Sequence, residues 1–347
     1  MVMSSNQKEL EKRYFGLRST CFNYLDTSIK LFKQYLDDEL EETSNKWSDL
    51  GTQTHMYLLQ ADEFWKNYTY LTIDKPSSEK QKQFAEQVAE LIKANKEKNK
   101  VEIIEKVYKD IYVIAKKSED KIKEDALSLY NSLEDYIKYL VTRTQYKDVL
   151  SYATVNYLKD VKEEVKKHKV ANTLLLQDSI TDDIYRASEK QIYWEHPLFN
   201  IEGSPIVLRS TIDRLIIDHK DKRVLLIDIK TSSKLPEFEK SFEEYKYNRQ
   251  LASYWMALEY YLRTEEEYKG IDWNEYTRDT YIIAIQTPHQ FRNYPTECKV
   301  FPISERSLGT GLKDLNSKID DVLWHITNNK WDHNRDYYEN NGLEKVL

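Results

Sequence analysis

The spacing of apolar residues changes once along this chain, near residue 187, and this change constrains the fold more than any other feature of the sequence. Upstream, apolar residues recur at intervals of three and four, which is typical of amphipathic helices. Helices are predicted over residues 20–41, 47–70, 79–95 and 101–169. Breaks are expected at Gly51 and after Lys75. Downstream, short apolar runs that alternate with polar residues predict β-strands.

The downstream half predicts a mixed β-sheet. Its strand candidates are Glu189–Glu195, Ile206–Ile217, Arg223–Lys230, Thr280–Gln286 and Lys299–Ile303. A helix over Ser241–Arg263 separates the third candidate from the fourth, and a last helix is expected from about Leu308 to Asn328. Such an order predicts an α/β fold: a mixed central β-sheet flanked by helices, with a large helical N-terminal elaboration.

The chain contains no low-complexity linker and no internal repeat, so we expect a single domain over residues 1–347. Within it we distinguish four parts. They are the N-terminal helices (1–74), a helical insertion (75–186), an α/β core (187–305), and a C-terminal helix and tail (306–347).

Composition excludes several classes of protein. With only 7 glycines and no GxxxxGK[ST] or GxGxxG motif, the chain is not expected to be a nucleotide-driven motor. A net charge of −7 argues against a passive nucleic-acid coat protein, but it is compatible with an acidic metal-holding centre. Cys21 and Cys298 give no disulfide framework and favour a reducing cytosol. The start of the chain lacks an apolar signal segment and no run is long enough to span a membrane, so we expect a cytoplasmic protein without membrane contact.

Two carboxylates and a lysine lie at the ends of neighbouring strand candidates. Alternate residues of a strand share one face, so Asp228 and Lys230 emerge side by side where the apolar run that starts at Val224 ends. The polar segment after Asp218 suits a hairpin turn, which would bring Asp213 alongside Asp228. Two carboxylates supply the hard oxygen ligands that Mg²⁺ and Mn²⁺ prefer. The neighbouring lysine could act on an attacking water or on a phosphate.

A surface salt bridge is the alternative interpretation of this pair. The pattern acid-x-lysine also occurs at Glu119, Glu164 and Asp218, because 32% of the residues are charged. Those copies lie on predicted solvated helices or in a turn. Asp228 differs from them, since it closes an apolar strand with Asp213 just upstream. The pair alone leaves both interpretations open.

Further motifs give the chain a resemblance to the PD-(D/E)XK nuclease superfamily, and within it to the RecB-type exonuclease branch. That branch has a helix with a glycine and a histidine, then an Asp-bearing strand, an Asp-x-Lys-Thr strand end, and a Gln-x-x-x-Tyr helix. The corresponding segments of this chain, in the same order, are Leu50–His55, Ile212–Arg214, Asp228–Thr231 and Gln250–Tyr254. The resemblance covers the N-terminal helices and most of residues 187–305, but not the stretch from about 75 to 170.

The resemblance implies a restriction-endonuclease-like core and a role for each matching residue. His55, Asp213, Asp228 and the backbone carbonyl of Ile229 would hold Mg²⁺ or Mn²⁺, and an imidazole ligand tilts the preference toward Mn²⁺. Lys230 would act on the water or the transition state. Gln250 and Tyr254, which share a helix face, would position the lysine and the substrate. Thr231 could donate its hydroxyl to a phosphate. Glu189 is an auxiliary acid candidate, although Glu195 or no residue at all could fill that role.

The sequence departs from the family pattern at two positions. Ile212 replaces the proline that names the superfamily, and Ser210 replaces a glycine that is often found three residues before the aspartate. Neither change removes a catalytic group. Some relatives hold an iron–sulfur cluster through four cysteines, whereas this chain has two, so no cluster is expected.

We therefore expect a metal-dependent deoxyribonuclease, with an exonuclease favoured because the RecB-type branch processes DNA ends in recombination and repair. The Lys- and Tyr-rich composition suits a phage or mobile-element enzyme in a bacterial or phage-infected cytosol. DNA with a free end is the expected partner, together with a single-strand annealing, replication or recombination protein. The alternatives are a structure-specific or restriction-type endonuclease and a non-catalytic DNA-binding or assembly module.

Overall fold

The computed structural model describes most of the chain and groups it into two compact units. The described residues are 3–14, 16–40, 46–70, 76–94, 100–112, 118–142, 148–177, 183–288 and 295–343. The first unit comprises Met1–Gln60 and Asp160–Leu347, and the second comprises Ala61–Lys159. Residues 61–159, which are mainly helical, thus form a unit with its own core.

Helices make up much of the described part of the chain. In chain order they are α1 (Ser5–Arg13), α2 (Phe22–Thr27), α3 (Ile29–Leu36), α4 (Lys46–Leu59), α5 (Ala61–Asn67), α6 (Glu79–Ala94), α7 (Lys100–Ile111), α8 (Glu119–Ser132), α9 (Glu134–Thr142), α10 (Tyr152–Lys167), α11 (Lys169–Ala171), α12 (Phe238–Glu244), α13 (Tyr247–Thr264), α14 (Glu305–Asn328) and α15 (Arg335–Glu339). No helix in the described ranges is both long and apolar enough to cross a membrane.

The strands form a small sheet and a larger one. They are β1 (Tyr68–Tyr70), β2 (Asp148–Leu150), β3 (Ile184–Ile201), β4 (Ser204–Asp218), β5 (Arg223–Ser232), β6 (Thr277–Gln286) and β7 (Cys298–Pro302). In the second unit β1 pairs in parallel with β2. In the first unit the strand order is β3-β4-β5-β6-β7, with β5 and β6 parallel and the other neighbours antiparallel.

The expected α/β fold, a mixed sheet flanked by helices, is confirmed. All five strand candidates are strands of the larger sheet; four lie within a few residues of their predicted limits, whereas β3 extends well beyond the predicted Glu189–Glu195 at both ends. Residues Val224 to Ile229 of β5 are all buried, which is the pattern of a central strand covered on both faces. The main core lies between the sheet and α13, α14 and the N-terminal helices α2 and α3.

The helix prediction needs three corrections. Gly51 does not break a helix but lies inside α4. The predicted helix Ser241–Arg263 is two helices, because Lys246 adopts a left-handed backbone conformation with φ of 53° and ends the regular turn. The first half also contains the strands β1 and β2, which are three residues each and too short to produce a strand period.

The second unit has a separate apolar core. Its helix α6 packs against α7 and α9, and α7 packs against α8. The fully buried residues include Phe84, Val88, Ile104, Val107 and Ile137. Their spacing within each helix follows the three- and four-residue period from which helices were expected in this region.

A glycine fixes the close packing of α14 against the start of α13. A Cβ at Gly311 would lie 2.1 Å from the backbone oxygen of Asn248, so only glycine fits. At Gly309, on the same helix, no atom lies within 4 Å of the position that a Cβ would take, and this residue serves as a matched position.

We predict that Gly311→Ala lowers the free energy of unfolding of the first unit by about 1–3 kcal/mol, since two helices must separate to admit the methyl group. Gly309→Ala should leave it unchanged or raise it by up to about 1 kcal/mol, the gain expected for alanine in a helix. Urea denaturation followed by tryptophan fluorescence measures both. Equal effects of the two substitutions would contradict the close packing of α14 on α13.

Candidate active site

Strands β4 and β5 bring Asp213 and Asp228 together at the sheet interior. The antiparallel register pairs Arg214 with Ile227, and one further step along the strands places Asp213 opposite Asp228. The Ile229 amide donates a hydrogen bond of 2.7 Å to Asp213 Oδ2. Both aspartates are buried. The predicted hairpin between these strands is therefore confirmed, and it positions two carboxylates as expected.

Lys230 lies beside Asp228 on one face of β5. Its Nζ is 2.6 Å from Asp228 Oδ2, and its side chain is 15% exposed. Neither oxygen of Asp228 accepts a hydrogen bond of regular geometry from the described residues, so the ion pair is what stabilises this carboxylate. Burial and the nearby Asp213 together raise the pKa of Asp228 to about 6, against the opposing effect of the Lys230 charge.

Helix α4 contributes His55. The Nδ1 atom of His55 is 3.5 Å from Asp213 Oδ2. Burial lowers the pKa of His55 to about 4, and the Lys230 charge adds to this, while a hydrogen bond with the Ile229 main chain opposes it. The imidazole is consequently neutral at pH 7, which is the form that binds metal ions. The same contact places His55 next to the Ile229 backbone.

Glu189 joins this group through an unusual backbone conformation. It has φ of 50° inside β3, and the neighbouring pairs Ser188–Arg214 and Lys190–Ile212 place it opposite Asp213. Strained backbone conformations of this kind persist where the surrounding structure holds them, often at functional sites. Burial, with Asp213 and Asp228 nearby, raises the pKa of Glu189 to about 7.

His55, Glu189 and Asp213 form a possible metal-binding group. Each offers a ligand atom, and these atoms all lie within 4.8 Å of one another. One imidazole nitrogen and two carboxylates are suitable donors for a hard or borderline divalent cation. Asp228, which the sequence suggested as a ligand, pairs with Lys230 and lies opposite Asp213, and Glu189 joins His55 and Asp213 in this group. Glu195, the other acid considered, pairs with Arg13.

Gln250 and Tyr254 lie on α13, and Tyr254 is close to the carboxylates of Asp228 and Asp213. The Gln250 Nε2 donates a hydrogen bond of 2.6 Å to the Tyr254 hydroxyl oxygen. Burial raises the pKa of Tyr254 well above its ordinary value, and so do the nearby charges of Asp228 and Asp213. Tyr254 therefore presents a neutral hydroxyl beside the acids.

Sequence reasoning missed Tyr247. Its ring centroid is 4.9 Å from Lys230 Nζ, a cation–π contact. Burial raises the pKa of the Tyr247 hydroxyl, and among the neighbouring charges Asp228 adds most to this. The spacing of Tyr247, Gln250 and Tyr254 along one helix face was a signal that could have indicated this residue.

An open cleft of about 570 Å³ adjoins the metal-binding group. It is lined by Gly51, Thr52, His55, Met56, Gln60, Glu189, Gln191 and Thr211. Thr231 lies behind it, where a Cβ at Gly51 would be 3.1 Å from its Oγ1. Gly51 thus lets α4 approach the end of β5 closely enough to bring His55 to Asp213.

Acids on β3, β4 and β5, together with His55 of α4 and with Lys230, form the arrangement of a metal-dependent phosphodiesterase, and the comparison with known families agrees. The family model of the PD-(D/E)XK nuclease superfamily matches residues 23–299, and the chain belongs to this superfamily. These nucleases use divalent metals and act on DNA.

A search of solved structures finds a crystal structure from Eubacterium rectale named "putative exonuclease". It is 9% identical, with a TM-score of 0.40, and the match covers 100% of this chain and 96% of that one. No curated protein matches the sequence significantly.

The metal-binding group predicts stabilisation by metal. A cation that binds the folded state alone stabilises it by about 2.7 kcal/mol at a concentration of 100 times its Kd. We expect Mn²⁺ to raise the thermal midpoint of the wild type. Asp213→Asn should remove most of that increase, whereas Glu195→Gln should retain it. Differential scanning fluorimetry measures all three, and an equal Mn²⁺ shift in Asp213→Asn and the wild type would rule out this group as the metal site.

The close approach at Gly51 gives a second prediction. Gly51→Ala should weaken Mn²⁺ binding by up to roughly 10-fold, because the new methyl group and Thr231 Oγ1 must separate slightly, which shifts His55 on α4. Thr231→Ala in the same chain removes the Oγ1 that the new methyl group meets and should restore the affinity. Isothermal titration calorimetry with Mn²⁺ checks this, with Thr231→Ala alone as the control. A double variant as weak as Gly51→Ala would contradict it.

Proposed function

We propose that this protein is a deoxyribonuclease that hydrolyses phosphodiester bonds with Mg²⁺ or Mn²⁺. The observation that carries the proposal is the convergence of His55, Glu189 and Asp213 within 4.8 Å, beside the Asp228–Lys230 ion pair. A nuclease needs acidic oxygens that hold a divalent cation and a cationic side chain next to them. Contacts among residues that are far apart in the sequence support both the group of acidic oxygens and the cationic side chain next to it.

His55, Glu189 and Asp213 would hold the metal, with the Ile229 carbonyl as a further ligand and Asp228 at its side. A bound divalent cation supplies charge for the phosphate and lowers the pKa of water. His55 is already neutral and needs no proton loss to bind. The amide of Ile229 fixes the orientation of Asp213 through the hydrogen bond to Oδ2.

Lys230 would act on the attacking water or on the charge that develops at the phosphate. Asp228 holds the Lys230 ammonium on one side and the Tyr247 ring lies against it on another, so its position is restricted before the substrate arrives. Charges that are positioned in advance in this way make the largest contribution to the rate enhancement of many enzymes. The Tyr254 hydroxyl, fixed by Gln250, would donate to a substrate oxygen or to a carboxylate.

We further propose that the enzyme works from DNA ends, in recombination, repair or phage DNA processing. The support is the order of the RecB-like segments, from Leu50–His55 to Gln250–Tyr254. The cleft of about 570 Å³ is of the size of pockets that hold one small ligand, about 300–1,000 Å³. A space of this size suits a DNA end whose nucleotides enter the cleft one at a time.

Cleavage of end-labelled linear DNA tests the proposal. We expect cleavage in Mg²⁺ or Mn²⁺ and none in EDTA. Lys230→Ala should reduce kcat by about 10²- to 10³-fold, the effect of removing one pre-positioned donor. Lys240→Ala is the matched control, since that lysine pairs with Glu237 on the surface and is 78% exposed.

The DNA form separates the alternatives. An exonuclease degrades the linear molecule and leaves covalently closed circular DNA intact. Cleavage of the circle would instead establish an endonuclease. Binding to DNA without any metal-dependent cleavage would contradict the proposal of a nuclease and would favour the alternative of a non-catalytic DNA-binding module.

A further inference from the structure

Four aromatic rings stack pairwise, from the partly buried Phe301 through the buried Phe238 to the exposed Tyr245. Phe301 stacks on Phe238 at 5.0 Å, Phe238 on Tyr247 at 5.9 Å, and Tyr247 on Tyr245 at 5.8 Å between centroids. Each pair lies within 28° of parallel. Phe238 is buried, whereas Tyr245 is 51% exposed. The stack therefore ends in a half-exposed tyrosine ring that contacts the buried Phe238 through Tyr247.

The helix break at Lys246 creates the last step of this stack. Residues two apart on a continuous helix point in different directions and cannot stack. Tyr245 and Tyr247 stack because Lys246, with φ of 53°, separates α12 from α13. A left-handed conformation at a residue other than glycine costs about 1–3 kcal/mol. This conformational cost accompanies the exposed position of the Tyr245 ring, and an exposed ring contributes little to the stability of the core.

The stack also reaches the candidate active site. The Tyr247 ring that carries Tyr245 on one side has Lys230 Nζ 4.9 Å from its centroid. Two successive contacts, each shorter than 6 Å, thus connect the exposed ring to the lysine. Glu244 directly precedes Tyr245 in the chain, and a carboxylate at this position disfavours a phosphate beside the ring. An uncharged planar group is the better fit.

We propose that Tyr245 is the stacking site for an unpaired nucleobase of the DNA strand whose phosphate is at Lys230. This inference rests on the proposed nuclease function. Aromatic faces beside a basic group bind single-stranded nucleic acid in this manner, and they do so without regard to sequence because every base has a flat face. The site confers a preference for a frayed or single-stranded end over a fully paired one.

Fluorescence of 2-aminopurine tests the stacking directly. Short single-stranded DNA carries the analogue at one end or the other, in separate probes, and EDTA prevents cleavage. Stacking on Tyr245 quenches the emission. We expect Tyr245→Ala to lose the quenching and to bind roughly 5- to 150-fold more weakly, the range measured for one stacked base. Tyr245→Phe retains the ring and should bind within about 2-fold of the wild type.

Tyr24→Ala is the matched control. Tyr24 is 37% exposed and stacks on Tyr35 at 5.2 Å, so it is a second exposed tyrosine on an aromatic partner. It should bind the probe like the wild type. With Mn²⁺, Tyr245→Ala should raise KM for single-stranded DNA and leave kcat nearly unchanged, as expected for lost uniform binding. A lowered thermal midpoint would not produce that split.

Three results overturn the inference: wild-type quenching and affinity in Tyr245→Ala, equal losses on blunt duplex and single strand, or a Phe variant as weak as the Ala variant. The nuclease proposal fails separately. If the wild type quenches the probe through Tyr245 but never cleaves DNA, the stacking proposal is supported and the nuclease proposal is refuted. If it cleaves and Tyr245→Ala is indistinguishable, only the stacking site is refuted.

Discussion

Three carboxylates, two buried and one half-buried, lie close together, and the arrangement of the whole site follows from how their charge is balanced. Glu189, Asp213 and Asp228 each have a raised pKa, first because burial removes water and then, for Glu189 and Asp228, because the acids repel one another. Lys230 supplies a single positive charge, and it is committed to Asp228. Buried charge without a partner is costly. The remaining donors, with the neutral His55, therefore form a site whose stability a divalent cation would increase.

Distant segments of the chain hold these groups in place. Gly51 allows α4 to approach β5, and Gly311 allows α14 to approach the start of α13. Ser210, which stands where relatives often have glycine, has a structural use: its hydroxyl oxygen accepts from Trp194 Nε1 at 3.2 Å and lies 3.1 Å from the Ser253 hydroxyl. This buried network joins the sheet to α13 immediately before Tyr254. The departure from the family pattern thus supports the helix that faces the site.

Local patterns predicted what depends on local geometry. Alternation along β4 and β5, with the polar turn after Asp218, was enough to predict the hairpin and the meeting of Asp213 with Asp228. The place of Glu189 depends on a left-handed backbone conformation inside a strand, which no period of apolar residues encodes. The helix break at Lys246 was missed for the same reason. The separate core of residues 61–159 arises from packing between helices. The period of apolar residues within one helix does not specify which other helix it packs against. The histidine came from family resemblance, since a single helical histidine carries no chemistry by itself.

Anomalous diffraction from crystals grown with Mn²⁺ tests the metal site, because it locates the metal without reference to activity. We predict a manganese peak within coordination distance of His55, Glu189 and Asp213, next to the Ile229 carbonyl and with Lys230 close by. A manganese peak that lies elsewhere in the first unit, or full exposure to Mn²⁺ without any peak at these side chains, would contradict it.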